Sequence, residues 1–280
     1  MTNSWTDVQQ RRLIELEAAD EDLNRQFNDF TDRDRVFQEL EKTLVQNQRQ
    51  RLAEFRQIDM QPRLIRLENK LVDALVANGF AQVTTPIIMS KGHLSKMSIT
   101  QDHPLSAQVY WLGRNKCLRP MLAPHLYFVL KDLLRLWDTP IRIFEVGPCF
   151  RKETQGAQHA SEFTMLNLVE MGLAEETRDK RIAEMADLVT RTAGIDDYLL
   201  EKTTSEVYGD TIDVVAGEEQ IELGSAAMGP HRLDREWKIT ATWIGIGFGL
   251  ERLLMVAENS RNIGKWVRSL TYLDGIRLNI

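Results

Sequence analysis

The chain has 280 residues, of which 43% are hydrophobic, and this length allows one or two domains with a sizeable core. Its two cysteines, Cys117 and Cys149, are isolated from each other and from histidines at metal-ligand spacing, so no disulfide framework or zinc site is predicted and a reduced, cytoplasmic setting is expected. The net charge of -6 argues against a generally basic nucleic-acid-binding surface but leaves local patches open, and the lack of a long apolar run argues against a membrane protein.

The first segment, from Thr6 to about Asp59, is highly charged, contains no glycine or proline, and repeats leucine and phenylalanine at helical spacing. Two capping boxes are predicted, one at Thr6 with Gln9 and one at Thr31 with Asp34. The pattern therefore predicts a helical hairpin, with its break between residues 29 and 34.

After Pro62 the pattern changes to an amphipathic helix that ends at Asn78-Gly79, and a strand should follow. Further strands are predicted at 109–112 and 141–144, and further helices at 125–136 and 180–192. The chain is therefore expected to have an α+β fold, with a boundary near residue 60.

A group of side chains that suits ATP begins at Phe150-Arg151-Lys152-Glu153 and continues with His159 and Phe163. Arginine can form two parallel bonds to a phosphate or carboxylate, and phenylalanine can stack on a purine. On its own the string Phe-Arg-Lys-Glu is more typical of a solvated strand face.

A second arginine, Arg252, follows the glycine-rich stretch Gly245–Gly249 at the start of an apolar helix, where backbone can approach a ligand closely. Between the two arginines, Glu222 and Ser225 offer hard oxygen ligands that suit Mg²⁺. Taken separately, the glycines could form only a tight turn, and a bare Glu-x-x-Ser pair is weak evidence of a metal site.

A third feature is the stretch Gly79–Ile88, in which Pro86 interrupts a strand and so suits an edge or an interface. In order along the chain, these three stretches resemble motifs 1, 2 and 3 of the class II aminoacyl-tRNA synthetases. The resemblance implies an antiparallel sheet flanked by helices over residues 61–280, preceded by a helical segment, 1–60, for tRNA contact or dimer support. It also implies a homodimer, because motif 1 lies at the dimer interface in that class.

Four more specific strings, Arg119–Pro124, Glu162–Asn167, Val207–Asp213 and Trp243–Gly245, resemble the pyrrolysyl-tRNA synthetase family, in its compact form without a separate amino-terminal tRNA-binding domain. This resemblance implies ATP-dependent activation of pyrrolysine, or of a bulky Nε-acyl-lysine, and its transfer to the 3′ end of tRNA(Pyl). A long side chain with a bulky end needs a roomy apolar cavity with few polar anchors. The implied amino-acid pocket comprises Ala123, Leu126, Tyr127, Leu130, Asn167, Val169, Tyr208, Ala227, Trp243 and Gly245.

Within that pocket, the resemblance assigns Asn167 to the substrate's amide carbonyl and Tyr208 to a lid that bonds the pyrroline nitrogen. From spacing alone, the aliphatic wall could be ordinary core, Tyr208 a turn residue and Asn167 a satisfied buried amide. The remaining implied roles are catalysis for Arg151 and Arg252, ATP binding for both arginines and for Glu153, His159, Phe163, Glu222 and Ser225, and Mg²⁺ binding for Glu222 and Ser225.

Two positions depart from the family pattern. His125 replaces a common asparagine, and Ile246 replaces a small residue before Gly247 and is expected to narrow the cavity or shift the backbone. The other histidines, His93, His103 and His231, are expected to be surface or structural residues. Alternatives left open are a phenylalanyl- or phosphoseryl-type synthetase and a non-catalytic, tRNA-binding paralogue.

Overall fold

A computed structural model describes residues 4–152, 160–260 and 262–280. The chain divides into two compact units. One unit comprises Met1–Pro62 and Ser269–Ile280, and the other comprises Arg63–Arg268.

In the first unit, helices α1 (Asp7–Glu15), α2 (Asp20–Leu23) and α3 (Phe30–Glu54) are followed by a π-helical turn, Phe55–Asp59. The last residues add a two-stranded antiparallel hairpin, Tyr272–Leu273 and Ile276–Arg277. Buried Trp5, Leu13 and Phe27 form its apolar core. The helical prediction for this segment is confirmed.

The helix starts in this unit bear out one of the two predicted capping boxes. Thr6 accepts a hydrogen bond from the Gln9 backbone while the Gln9 side chain accepts from the Thr6 backbone. The box at Thr31 is wrong, because α3 begins at Phe30, two residues earlier than that box requires, and its N-cap is Asp29, which accepts from the Asp32 N–H at 2.8 Å. The break between helices therefore comes before residue 30.

The second unit contains α4 to α10 and β1 to β9, with 3₁₀ turns at Glu175–Thr177 and Ile263–Lys265. Its helices are α4 Arg63–Ala77, α5 Lys91–Lys96, α6 Leu105–Gln108, α7 Ala123–Leu133, α8 Arg178–Thr192, α9 Asp234–Trp237 and α10 Leu250–Ala257. Its strands are β1 Ala81–Gln82, β2 Ile88–Ser90, β3 Lys116–Leu118, β4 Ile141–Phe150, β5 Glu162–Met171, β6 Tyr198–Ser205, β7 Gly209–Ala216, β8 Ile221–Gly229 and β9 Trp243–Gly249.

Seven of these strands form a sheet in the order β1-β4-β5-β9-β8-β7-β6 over the described residues. All neighbours are antiparallel except β1 and β4, which are parallel, and β2 with β3 forms a separate antiparallel pair. The α+β prediction of a largely antiparallel sheet flanked by helices is confirmed.

Alternation along the central strands divides the core between the two faces of this sheet. One apolar cluster joins even-numbered residues such as Leu168, Ile246 and Phe248 to α4, α8 and α10. The other joins odd-numbered Val169 and Trp243 to α5, α7 and α9. The second face carries the candidate site.

Most of the predicted elements in this unit are present. Helix α4 ends as expected, with Gly79 at a left-handed φ of 81°, and the predicted helices near 125–136 and 180–192 correspond to α7 and α8. The strand at 109–112 is wrong, because this stretch follows α6 and only Trp111 forms an isolated bridge, to Cys117. No helix among the described residues combines the length and apolar character needed to cross a bilayer.

Candidate active site

A cavity of about 440 Å³ opens on the sheet face that packs against α7. Alternate residues of two central strands form its floor: Phe163, Met165, Asn167, Val169 and Met171 of β5, and Trp243, Gly245, Gly247 and Gly249 of β9. Because side chains alternate across a strand, the intervening residues lie in the opposite core. All the predicted site residues that the structure describes line this one cavity.

The floor is low along β9 because three of its four cavity-facing residues are glycines. A Cβ atom at Gly245 would lie 3.4 Å from a methyl carbon of Val169, and one at Gly247 would lie 3.4 Å from Nδ2 of Asn167. The glycines therefore leave space for a ligand to lie against the sheet itself.

Helix α7 forms an apolar wall at one end of the cavity. Ala123, Leu126, Tyr127 and Leu130 recur every three or four residues and so lie on one helix face. Val169 and Ala227 continue the apolar lining on the sheet, and their side chains are buried. This wall and floor are the surfaces that a long apolar side chain requires.

Trp243 closes this end and is fixed by a buried carboxylate. Its Nε1 donates to both carboxylate oxygens of Asp234 at 3.0 Å. The Trp243 ring meets Tyr127 edge-on at 5.5 Å between centroids and Tyr208 at 6.2 Å. Such edge contacts are favourable aromatic geometries, so the three rings stabilise one another.

The two tyrosines are held in the neutral form. Burial raises the pKa of Tyr127 well above its usual value, with Tyr208 and Asp234 adding to the effect. Burial also raises the pKa of Tyr208. Both phenols therefore keep their protons at physiological pH and can act as hydrogen-bond donors.

Asn167 lies in the middle of the floor, on β5. Its Nδ2 donates to the backbone oxygen of Ile246 at 2.9 Å, which fixes the plane of the side-chain amide. An amide nitrogen has two hydrogens and the amide oxygen is an acceptor, so Asn167 can still bond a polar group of a ligand.

Arg151 lies at the other end, just after β4. Its Nε donates to the Pro120 oxygen at 2.9 Å, and its guanidinium carbon lies 5.3 Å from the centre of the Phe163 ring. This is cation–π geometry, and it holds the guanidinium beside the aromatic plate. Glu153 and His159, also predicted here, lie outside the described residues.

Glu222, Ser225 and Arg252 complete this charged end. Residues three apart on a regular strand point to opposite faces, yet Glu222 and Ser225 both line the cavity. The reason is a β-bulge: Val214 pairs with Gly224 and Val215 with Glu222, so one extra residue stands on β8. The bulge places both oxygen donors on the same side.

Beside the bulge, β8 approaches β9 so closely at Gly224 that a Cβ atom there would lie 2.4 Å from the backbone oxygen of Gly247. Next to it, Arg252 in the first turn of α10 donates to the Glu222 backbone oxygen at 3.0 Å. Its Nη1 also lies 3.6 Å from the Glu222 carboxylate. The cation and the carboxylate are thus held together at the cavity mouth.

The donor set at this end fits Mg²⁺ better than a metal with an all-protein cage. Across the residues that the structure describes, no three histidine, cysteine or acidic side chains form a metal-binding group. Mg²⁺ usually needs only one or two protein oxygens, with water and substrate phosphates supplying the rest. Glu222 and Ser225 provide such a pair.

The expectation that the Ile246 side chain narrows the cavity is wrong. Its side chain is fully buried among the residues on the other face of the sheet and does not line the cavity. It cannot narrow the site directly, because an even-numbered position of β9 faces away. Only its backbone oxygen contributes, through Asn167.

His125 is likewise behind the cavity wall and does not line it. It is buried and packs edge-on against His93 at 5.4 Å, with its Nδ1 3.3 Å from the Thr85 hydroxyl. Burial, with the nearby charges of His93 and Arg119, lowers the pKa of His125 to about 4. It is therefore a neutral packing residue at physiological pH.

Other cavity residues were not predicted, among them Met165, Met171, Val207 and Glu251. The first two could have been found by extending the alternation of Asn167 and Val169 along β5. Glu251 stood next to Arg252 in the glycine-rich string. Its Oε1 accepts the Thr164 N–H at 2.7 Å, and burial raises the pKa of Glu251 to about 7.

Comparison with known proteins places this geometry in context. Residues 53–274 match the class II core domain (F) of tRNA synthetases. The crystal structure of a pyrrolysyl-tRNA synthetase from Desulfitobacterium hafniense is 52% identical, with a TM-score of 0.94 and full coverage of both chains. A second pyrrolysyl-tRNA synthetase structure from that organism is 51% identical, with a TM-score of 0.91, and covers all of this chain and 96% of that one.

A more distant similarity is to a histidine–tRNA ligase from Methanocaldococcus jannaschii. It is 28% identical over 125 residues, which are 43% of this chain and 29% of that protein. The match thus spans less than a third of the length of that relative.

Proposed function

Because the chain belongs to the class II aminoacyl-tRNA synthetases, and among them to the pyrrolysyl-tRNA synthetase family, we propose that it activates pyrrolysine or a bulky Nε-acyl-lysine with ATP and loads it onto tRNA(Pyl). The observation that carries this proposal is the cavity with two chemically different ends. One end is apolar and aromatic, and the other is lined by Arg151, Glu222, Ser225 and Arg252.

The first step joins the amino acid to AMP. An oxygen of its carboxylate attacks the α-phosphorus of ATP, a new P–O bond forms, and pyrophosphate leaves with the electrons of the broken bond. Negative charge builds on the phosphate oxygens as this happens. Arg151 binds the α-phosphate and the carboxylate, and Arg252 binds the γ-phosphate end, so catalysis rests on positioning and charge stabilisation.

The remaining residues of this end have supporting roles in the proposal. Phe163 and Glu153 hold the adenine, and His159 holds the triphosphate. Glu222 and Ser225 hold Mg²⁺, which when bound neutralises phosphate charge. The pairing of Arg252 with Glu222 fits this arrangement because it keeps both side chains at the cavity mouth.

The other end selects the amino acid. The α7 wall, with Val169, Ala227 and Trp243, surrounds the aliphatic stem and its bulky end group, while Gly245 leaves room beside the sheet. Asn167 donates to the side-chain amide carbonyl of the substrate, and the neutral Tyr208 hydroxyl donates to the ring nitrogen. A buried amide that meets a matching group discriminates strongly against substrates that lack it.

In the second step, the terminal ribose hydroxyl of tRNA attacks the adenylate carbonyl carbon and AMP leaves. The adenylate phosphate accepts the hydroxyl proton in this proposal, so no side chain acts as general base. The helical first segment supports tRNA contact or dimerisation, and the active form is a cytoplasmic homodimer.

The alternatives require other pockets. A phosphoserine site needs clustered cations, whereas α7 presents Ala123, Leu126 and Leu130 to the cavity. A phenylalanine site needs a shallower aromatic slot without an amide on its floor, whereas Asn167 lies there. A silent paralogue would have no chemical need for Arg151 and Arg252 in the same cavity.

The test is amino-acid-dependent exchange of pyrophosphate into ATP. We expect exchange with pyrrolysine or a bulky Nε-acyl-lysine, and little with phenylalanine or phosphoserine. Arg252→Ala should lower the exchange rate by roughly 10²- to 10³-fold, the usual effect of removing one charge-stabilising donor. Arg191→Ala, which breaks an exposed ion pair on α8, serves as the control and should retain the rate.

Exchange stimulated by phenylalanine alone would overturn the substrate assignment. Normal exchange in the Arg252→Ala variant would overturn the role of that arginine.

A further inference from the structure

The loop that carries Tyr208 is held by side chains from outside its own hairpin. This Tyr208 loop, residues 205–209, joins β6 to β7, and β6 is the edge strand of the sheet. Within the loop, the Tyr208 N–H donates to the Ser205 hydroxyl at 2.9 Å. Three successive backbone oxygens, those of Glu206, Val207 and Tyr208, each face a donor from another part of the chain.

His231 makes the shortest of these contacts, with its Nε2 2.7 Å from the Tyr208 oxygen. The tautomer of His231 follows from the hydrogen bond that its other ring nitrogen makes. Nδ1 of His231 accepts the Leu233 N–H at 3.2 Å and therefore has no proton of its own. In the neutral ring the proton lies on Nε2, so His231 donates to the loop.

His103 repeats this arrangement on the other side of the loop. Its Nδ1 accepts the Leu105 N–H at 3.2 Å, and its Nε2 lies 3.5 Å from the Glu206 oxygen. As in His231, a backbone N–H two residues ahead fixes the tautomer that donates outward. Two histidines from distant parts of the sequence thus present Nε2–H to neighbouring loop carbonyls.

Arg232 supplies the third donor, from its Nη2 to the Val207 oxygen at 3.4 Å. It is next to His231 in the stretch between β8 and α9, which Asp234 fixes by accepting the His231 N–H at 2.6 Å. The same carboxylate accepts the indole N–H of Trp243 on the cavity wall. The buried Asp234 carboxylate therefore connects the residues that support the loop with Trp243 in the pocket.

The support also acts on the aromatic ring of Tyr208. The His231 and Tyr208 rings meet edge-on at 5.6 Å between centroids, and Trp243 packs on Tyr208 at 6.2 Å. A hydrogen bond to the backbone and a ring contact to the side chain fix both the position and the direction of Tyr208. Ordering such a side chain before the ligand binds lowers the entropic cost of binding.

We propose that His231, with Arg232 and His103, positions the Tyr208 loop over the amino-acid end of the cavity and so sets the affinity for the long amino acid. The proposal rests on the proposed function, in which Tyr208 contacts that substrate. The three residues are positioning residues, since they reach the substrate through Tyr208. They should influence the KM for the amino acid far more than the KM for ATP.

The test compares two substitutions of His231 in the full chain. His231→Asn keeps a side-chain acceptor for the Leu233 N–H but removes the donor that reaches Tyr208. His231→Gln keeps an amide N–H near the position of Nε2. We expect His231→Asn to raise the KM for pyrrolysine or an Nε-acyl-lysine roughly three- to tenfold, the equivalent of one net hydrogen bond. His231→Gln should restore most of the affinity, and neither should change the KM for ATP.

A double-mutant cycle tests whether His231 affects the KM for the amino acid through Tyr208. Because the support acts through Tyr208, His231→Asn should have no further effect on the KM in a Tyr208→Ala background. Equal effects of His231→Asn in both backgrounds, or an equal rise in the KM for ATP, would overturn the proposal.

Amide hydrogen exchange tests the loop without any enzyme activity. His231→Asn should speed exchange in the peptide covering residues 205–209 about three- to tenfold and leave the β5 amides unchanged. Unchanged loop exchange would overturn the positioning role even in a fully active enzyme. If the wild-type protein catalyses no pyrophosphate exchange with any lysine derivative, the proposed function is rejected. The hydrogen-exchange result for the loop would still be valid in that case.

Discussion

Glu251 is an acidic side chain in a place that disfavours its charge. It is only 1% exposed, and burial raises its pKa to about 7 although the Thr164 N–H donates to one oxygen. The folded state therefore prefers the protonated form. This contribution to stability is present at low pH and is lost as the pH rises towards and through about 7.

A Glu251→Gln variant should show this dependence. Glutamine keeps an acceptor for the Thr164 N–H and stays neutral, so its stability relative to the wild type should increase between pH 5 and pH 8, by up to ~3 kcal/mol. Thermal unfolding across that range measures the difference. Parallel curves for the two proteins would show that Glu251 does not titrate in this way.

The side chains of the site were more predictable from the sequence than the groups that surround them. The resemblance led to Asn167 and Trp243, which share one cavity, but not to the Asp234 carboxylate that fixes the Trp243 indole. Asp234 is nine residues away and has no motif of its own, so only the folded chain shows the contact. For Ile246, strict alternation from Gly245 and Gly247 would have predicted the correct face.

Among the elements, α3 shows how a cap depends on backbone geometry. Asp29 has an extended backbone and accepts the Asp32 N–H, whereas Thr31 is already inside the helix. Both residue types are good caps, and sequence alone could not choose between them.

Asp29→Ala should therefore destabilise the first unit by ~1 kcal/mol, because it leaves a helix-terminal N–H without its partner. Thr31→Ala is the matched control and should change stability much less. Urea unfolding followed by circular dichroism checks both, and an equal loss in the two variants would contradict the assigned cap.

Strand β8 shows a second feature that local sequence could not predict. The bulge that brings Glu222 and Ser225 to one side depends on how β8 pairs with β7 and how closely it approaches β9. Residues distant in sequence determine both this pairing and this close approach.

Gly224→Ala should destabilise the protein by roughly 1 to 3 kcal/mol and weaken ATP binding, because the added carbon meets the Gly247 backbone oxygen and the ring of Phe248, which is itself fully buried. Gly92→Ala is the control: its Cβ would meet only the Ser90 hydroxyl oxygen, at 3.8 Å, and should be tolerated. Melting temperature and ATP titration measure the two effects. A tolerated Gly224→Ala with normal ATP affinity would show that the bulge can form without glycine.

For the whole molecule, the fold class was predictable because helix and strand periodicity persist over long stretches such as α4 and α8. Short or irregular elements were not predictable from the sequence. The stretch 109–112 has the composition of a strand, but only Trp111 pairs, in a single bridge, because α6 comes immediately before it. Tertiary context outweighed the propensity of those residues.

Ile87 and Ile88, in the stretch that resembles motif 1, are exposed apolar residues, and the proposed dimer would cover them. Light scattering should give twice the mass of one chain, and Ile88→Glu should shift it towards the monomer. Leu199→Glu, an exposed apolar residue on β6, should leave the mass unchanged. An active monomer, or equal dissociation by both variants, would contradict this interface.

The alternation of β5 and β9 also bears on how such proteins can diverge. Odd-numbered residues face the cavity and even-numbered residues face the opposite core. Alternate residues of the same two strands therefore determine substrate preference and stability. Point substitutions at odd positions can retune the pocket while the core persists. A single-residue insertion or deletion within β5 would exchange the two sets, so evolutionary change in these strands should proceed by replacement, with length variation confined to the loops.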